Sequence, residues 1–190
     1  MVGFPANSST VLIMIRHALF VLGLLMASAA PAADPVSAAD AATSPEARVA
    51  ELVKQPGVTI VHLWATWCPN CYIEFKEGGW KKFVDANPGT NVVFMSVWDD
   101  GKDGRALLEK FGVGAQNNVS ILADAGQRRG DDKLKRFLDI PVTWIPSTWV
   151  FKNGKLYYAM NYGEIRFPIL QQFVDDSTSN WDRKAADVMK

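Results

Sequence analysis

Cysteine is scarce in this chain: 190 residues hold two, Cys68 and Cys71, separated by two positions. So short a loop gains little entropic stabilisation from a bridge, so the pair does not read as a structural staple. Histidine is as scarce: His17 lies near the N-terminus and His62 is the only other one. A zinc site wants four ligands, and no second C-x-x-C supplies them. A Cys-Cys-His site for Cu(I) stays open on ligand softness. No histidine follows Cys71 directly, which removes the covalent haem attachment motif. An excess of one charge is missing too. Lys plus Arg equals Asp plus Glu at 20 each, so there is no overall basic field for nucleic acid. What is plentiful is apolar side chain, 48% of the residues, enough for one sizeable core.

Arg16 and His17 precede an apolar run over residues 18–26, and small residues follow over 27–33. Charge, apolar stretch and Ala-x-Ala in that order describe a secretory signal over residues 1–33, with cleavage after Ala29 or Ala32. Met14 offers an alternative start. A retained membrane anchor is the rival reading, although Arg16 interrupts the apolar stretch. Export permits disulfides, and this places the protein in the periplasm or otherwise outside the cytoplasm. Residues 34–43 form a flexible lead-in, and one domain is expected over 44–190.

Ser44-Pro45-Glu46 carries a serine cap, a first-turn proline and a first-turn acid, so a helix is expected to about Lys54. Residues 58–64 form a nearly continuous β-branched and apolar run, a strand buried on both faces. A helix is expected from Cys68 or Pro69 to about Ala86, weakened or bent at Gly78-Gly79. Strands follow over 91–98 and 120–123, with a helix between them over 104–111 capped by Asp103. Residues 124–131 read as polar loop and 132–138 as a short helix. Two strand patterns around Asn153-Gly154 form a hairpin. Helices are expected over 167–174 and 181–189, and the whole is an α/β domain with a mixed sheet.

The chemistry sits where the buried strand hands over to a helix. Helix N-termini present unpaired N–H groups and partial positive charge. A thiolate at that point is stabilised, lowering its pKa from about 8.5 towards roughly 3.5–7.5. Cys68, nearest the cap, is the candidate nucleophile, and Cys71, about one turn in, is the thiol that closes the disulfide. Pro69 suits the first helical position because it has no N–H to satisfy. Glu74 shares a helix face with Cys71 at i, i+3. It reads either as a group that accepts the thiol's proton or as a solvated helix glutamate. Arg128-Arg129 and Asp131-Asp132 read as a solvated loop, and Trp144 as a possible border of the substrate groove.

Trp64-Ala65-Thr66-Trp67-Cys68-Pro69-Asn70-Cys71 after a hydrophobic strand resembles the thioredoxin superfamily, most of all its exported TlpA/ResA-like branch. Ile145-Pro146-Ser147-Thr148-Trp149-Val150-Phe151, running into Asn153-Gly154, resembles that branch's second signature. The likeness spans roughly residues 45–175. It implies a thioredoxin-like α/β fold, a central mixed β-sheet flanked by helices on both faces. It also implies catalytic Cys68 and Cys71, a flanking Trp67, and a cis Pro146 whose neighbour Ile145 offers its backbone to substrate. The fold's buried acid, six residues before the first cysteine, is replaced by His62, which reads as a proton relay or as a satisfied core histidine. The helix-kinking proline is replaced by Lys76. Glu74 stands where the branch has a glutamate associated with its active site.

By this resemblance the protein is an exported protein-disulfide reductase with no cofactor beyond the Cys68–Cys71 disulfide and no metal. Its substrates would be exported proteins with disulfides or thiols, such as apocytochrome c or copper-site thiols. Its electrons would come from a membrane thiol carrier. A monomer is expected, with no nucleic-acid partner. The alternatives are a disulfide-introducing oxidase and a Cu(I)-binding module without turnover.

Overall fold

The computed structural model describes residues 44–161 and 163–179. The expected signal and lead-in, and the helix expected over 181–189, lie outside the described residues. Strand β1 (Val58–Trp64) is buried along all seven positions. Such burial needs hydrogen-bonding neighbours on both sides and side chains over both faces. It pairs in parallel with β2 (Asn91–Ser96) and antiparallel with β6 (Ser147–Lys152). β3 (Val119–Ala123) continues beyond β2 in parallel, and β7 (Lys155–Met160) beyond β6 antiparallel. The sheet is mixed, in the order β3-β2-β1-β6-β7.

The alternation of β1 assigns the two faces. His62 and Trp64 meet the rings of Phe75 and Trp80, from helices α2 (Pro69–Lys76) and α3 (Gly79–Ala86). Helix α4 (Arg105–Lys110) lies beside α2 through Tyr72 and Phe111. Helix α5 (Phe167–Thr178) covers the same face, with Phe167 edge-on to Trp80 at 5.3 Å and Phe173 stacked on Tyr158 at 4.1 Å. On the opposite face, α1 (Pro45–Lys54) accepts the Thr59 hydroxyl at the Leu52 carbonyl, 3.3 Å away. Phe137 packs there near Trp149, whose strand neighbour is Val61. Helices therefore flank both faces. No helix among the described residues is long and apolar enough to cross a membrane.

Local chemistry explains most boundaries. Ser44 caps α1 by accepting the Ala47 N–H, with Pro45 in the first turn. Asn153 and Gly154 both take positive φ, the two-residue turn that matches strand twist. The Asn153 carboxamide oxygen also accepts the Gly57 N–H at 2.9 Å, tying the hairpin to the start of β1.

Three expectations are corrected. The helix over 68–86 is two helices, because Gly78 takes φ 72° and breaks the ladder between α2 and α3. Residues 132–138 do not form a helix. Arg136–Phe137 (β4) pairs with Ile140–Pro141 (β5), and Leu138 and Asp139 turn between them at positive φ. Burial of Phe137 beside exposed Arg136 follows a strand period, and the positive φ of Leu138 is incompatible with a right-handed helix. Asp103 is not the cap of α4. Gly104 is, at φ 68° against the Trp64 ring, while the Asp103 carboxylate accepts the Arg105 N–H from two positions back.

Gly79 is needed for closeness: a Cβ there would stand 2.0 Å from the Phe167 ring. Gly79→Ala is expected to cost about 1–3 kcal/mol by overpacking, read as a lower urea midpoint at unchanged slope. The cost should shrink in a Phe167→Leu background, since the two positions share one contact.

Candidate functional site

The chain leaves β1 at Trp64 and reaches α2 at Pro69, so the site is built on four connecting residues. Asp99, buried three residues beyond β2, grips that connection. One carboxylate oxygen accepts both the Thr66 N–H at 2.8 Å and the Thr66 hydroxyl at 2.7 Å. The Cys68 N–H donates to the Ala65 carbonyl at 3.1 Å. Cys68 thereby becomes the N-cap of α2, in extended backbone, with Pro69 in the first turn. The Cys71 N–H donates to the Cys68 sulfur at 3.3 Å. An amide of the helix's first turn thus points at the sulfur that would carry charge.

Cys68 and Cys71 are joined as a disulfide, their Cα atoms 5.3 Å apart. Cys71 is sealed at 0% exposure, while Cys68 keeps 5%, opening on a groove of about 450 Å³. Only Cys68 can be met by an incoming group. Across the groove the Ile145–Pro146 peptide is cis, and the Ile145 carbonyl oxygen lies 3.9 Å from the Cys68 sulfur. The Ser147 hydroxyl donates to the Trp144 carbonyl at 2.8 Å, closing the loop before that peptide. Trp67, Pro69 and Trp144 line the same groove, Trp144 at 43% exposure.

Beneath the disulfide lies a second arrangement. Glu74, one turn after Cys71 on α2, is buried and fully engaged. Its Oε1 accepts the Ile165 N–H at 2.7 Å and its Oε2 accepts the Trp80 indole N–H at 3.0 Å. The solvated reading of Glu74 is thereby set aside. His62, facing the same side, holds Thr148 Oγ1 at 2.9 Å through Nδ1. Its Nε2 stands 3.2 Å from Glu74 Oε2 without the alignment of a hydrogen bond. The ring lies among Trp80, Phe75 and Phe94.

The spacing is that of an ion pair, yet burial takes charge off both partners. Burial pushes Glu74 up to about 7, against the pull of the Ile165 and Trp80 donors, with the Glu164 charge adding a push. Burial takes His62 down to about 3. In the acid-to-neutral range the pair holds one proton, on the carboxyl, and the imidazole is neutral.

The structure thus brings Cys68, Trp67, Pro69 and Ile145 around one groove, while Cys71 is sealed behind Cys68 and Pro146 lies outside the lining, as do the buried Glu74 and His62. The loop basics are where sequence reasoning missed. Arg128, Arg129 and Lys133 line the groove. The Arg128 guanidinium lies 3.8 Å over the Trp67 ring and the Lys133 ammonium 4.0 Å over Trp98. Their sequence neighbourhood is polar loop, and nothing in its spacing points sixty residues back to Cys68. Among the described residues no three His, Cys, Asp or Glu side chains gather as metal ligands.

The buried pair makes a signed prediction. Between pH of about 4.5 and 6.5 the unfolded chain carries one proton on His62 and none on Glu74, while the folded chain carries it on Glu74. The two linkages cancel, and this pair gives no slope to stability in that window. Glu74→Gln leaves only the depressed histidine. Stability should then rise with pH between about 3 and 6.5, at up to ~1.4 kcal/mol per pH unit. His62→Asn leaves only the raised carboxyl, and stability should fall as pH rises from about 4.5 to about 7. Urea unfolding of the three proteins across pH 3–8 reads these slopes against one another.

No protein-family model matches the chain, and no curated protein matches it in sequence. Solved structures do. A Neisseria meningitidis protein proposed as a thioredoxin superposes with TM-score 0.50 at 20% identity, over 71% of this chain and 83% of that one. A secreted disulfide oxidoreductase of Mycobacterium tuberculosis, described as homologous to E. coli DsbE, gives 0.49 at 18%, over 66% and 85%. A DsbF homologue from Corynebacterium diphtheriae gives 0.48 at 16%, over 63% and 71%. At 20% identity the likeness to the Neisseria protein carries architecture alone, and with the five-stranded mixed sheet and its flanking helices it gives this chain the thioredoxin-like fold.

Proposed function

We propose that the protein is an exported thiol–disulfide oxidoreductase that works as a reductant of disulfides in other exported proteins. The observation that carries the redox reading is the asymmetry of the pair. Both sulfurs sit at one helix N-terminus, but only Cys68 opens on a groove. Export rests on the signal pattern of residues 1–33, and the reducing direction on the resemblance of the segments around Cys68 and Pro146.

In the reduced protein the Cys68 thiolate attacks one sulfur of the substrate disulfide. A Cys68–substrate bond forms, the substrate S–S bond breaks, and the released thiolate takes a proton. Cys71 then loses its proton and attacks the Cys68 sulfur. The Cys68–Cys71 bond forms, the mixed disulfide breaks, and the second substrate thiolate leaves. Two electrons have passed from the dithiol to the substrate. A dithiol donor, here a membrane thiol carrier, returns them by the reverse exchange.

The residues divide the work. The Cys71 N–H stabilises charge on Cys68. Glu74, half ionised near neutrality, can take the Cys71 proton, with neutral His62 as the neighbouring acceptor. Ile145 offers its backbone to an extended substrate segment, with Trp67 and Pro69 as the facing wall.

Full-length reduced protein should reduce insulin with dithiothreitol as donor. Cys68→Ser should drop turnover to background. Cys71→Ser should still make the first attack and accumulate a mixed disulfide, visible as an adduct without reductant. Reduced Cys68 should be alkylated at neutral pH faster than a free thiol. A reduction potential near about −270 mV fits the reductant, whereas one near about −120 mV would replace it with an oxidase.

A further inference from the structure

The chain has no net charge, yet its groove has. Arg128, Arg129 and Lys133 line it, and no acidic side chain does. Among the described residues none of the three cations has a carboxylate within ion-pair distance. The acids on nearby segments lie outside the lining. The Asp99 carboxylate turns to Thr66 and that of Asp124 to the Gly126 N–H, and Asp131 and Asp132 are exposed outside the lining.

Two of the cations are held in place by the groove's own walls. Arg128 lies flat over Trp67, whose indole N–H donates to the Trp98 carbonyl at 2.9 Å. Lys133 lies over Trp98, whose indole N–H donates to the Leu134 carbonyl at 2.8 Å. Trp98 itself is held at φ 59°, a backbone state that a bulky residue enters at some cost. The two aromatic walls, their cations and the loop after β3 are thus one fixed assembly beside the reacting sulfur. Three like charges in one lining that holds no acid repel one another there, and an anionic partner relieves that repulsion.

We infer that this basic, tryptophan-walled side of the groove recognises acidic residues flanking the cysteine of an extended polypeptide substrate. The inference rests on the oxidoreductase reading and names the substrate class for that same site. A polypeptide, and not a small anion, is favoured by Ile145. Its N–H has no hydrogen-bond partner among the described residues, and its carbonyl oxygen meets only the Cys68 sulfur. That leaves a free stretch of backbone for an extended chain to pair with. The substrate's cysteine would lie over Cys68 and its acidic side chains would lie towards Arg128, Arg129 and Lys133.

The test uses reduced full-length protein and three synthetic peptides. Each carries one cysteine in mixed disulfide with 2-mercaptoethanol, flanked by glutamates, serines or lysines. Stopped-flow tryptophan fluorescence gives each rate, which is divided by that of dithiothreitol with the same peptide to remove intrinsic reactivity. The glutamate peptide should react about 10-fold or more faster than the lysine peptide at low salt, and the gap should close as added salt shortens the screening length. In Arg129→Glu/Lys133→Glu the order should invert. If that variant does not fold, the salt dependence of the unmodified protein decides alone. Equal normalised rates for the three peptides would overturn the inference while leaving the oxidoreductase reading intact. Glutathione disulfide reduced as fast as the glutamate peptide would overturn the polypeptide assignment. Reduction of none of them would overturn the redox reading and the inference with it.

Discussion

A sulfur at a helix tip is only as useful as the tip is fixed, and here the fixing comes from the centre of the sheet. β1 is sealed on both faces and hydrogen-bonded on both edges, so its end at Trp64 cannot drift. The Asp99 carboxylate, in the loop after the neighbouring strand, then holds Thr66, and the Ala65 carbonyl holds the amide of Cys68. Cys68 becomes a cap because the preceding residues have nowhere else to go. Its sulfur receives the Cys71 N–H without local reorganisation. The electrostatic benefit to a thiolate is thus prepared by burial several residues away.

The same burial shapes the proton inventory behind the disulfide. A carboxyl and an imidazole lie side by side in an aromatic enclosure where neither gains by being charged. An isolated buried carboxylate would be costly, and two N–H donors soften that cost enough to bring Glu74 near neutrality. A buried acid that changes state near pH 7 suits thiol exchange, because the second thiol must surrender a proton in the middle of the reaction.

Legibility followed the range of the interactions. The strand at 58–64 and the Asn-Gly hairpin were readable because burial and turn chemistry act over a few residues. Cys68 and Cys71 were readable for the same reason, since the physics that activates them is confined to one helix turn. The split of the long helix was half visible: Gly78-Gly79 promised a weakness, but the left-handed turn of Gly78 and the closeness of Gly79 to the Phe167 ring, 88 positions on, are set by tertiary packing. The hairpin at Arg136–Pro141 was missed because its two-residue strands give too few positions for a period to show. The loop cations were illegible. Their meaning comes from lying against Trp67 and Trp98, a matter of tertiary placement alone.

The amide that restrains Glu74 belongs to Ile165, 91 residues along the chain and two positions before α5 begins. The indole that also restrains it belongs to Trp80, against which α5 lays Phe167. The last described helix therefore does more than close the sheet. It helps complete the enclosure that pushes the carboxyl toward its neutral form, and it also supports the two donors that oppose that push. Two hydrogen bonds and one ring contact thus tie the packing at the end of the described chain to the acidity of a carboxyl on the helix that carries the cysteines.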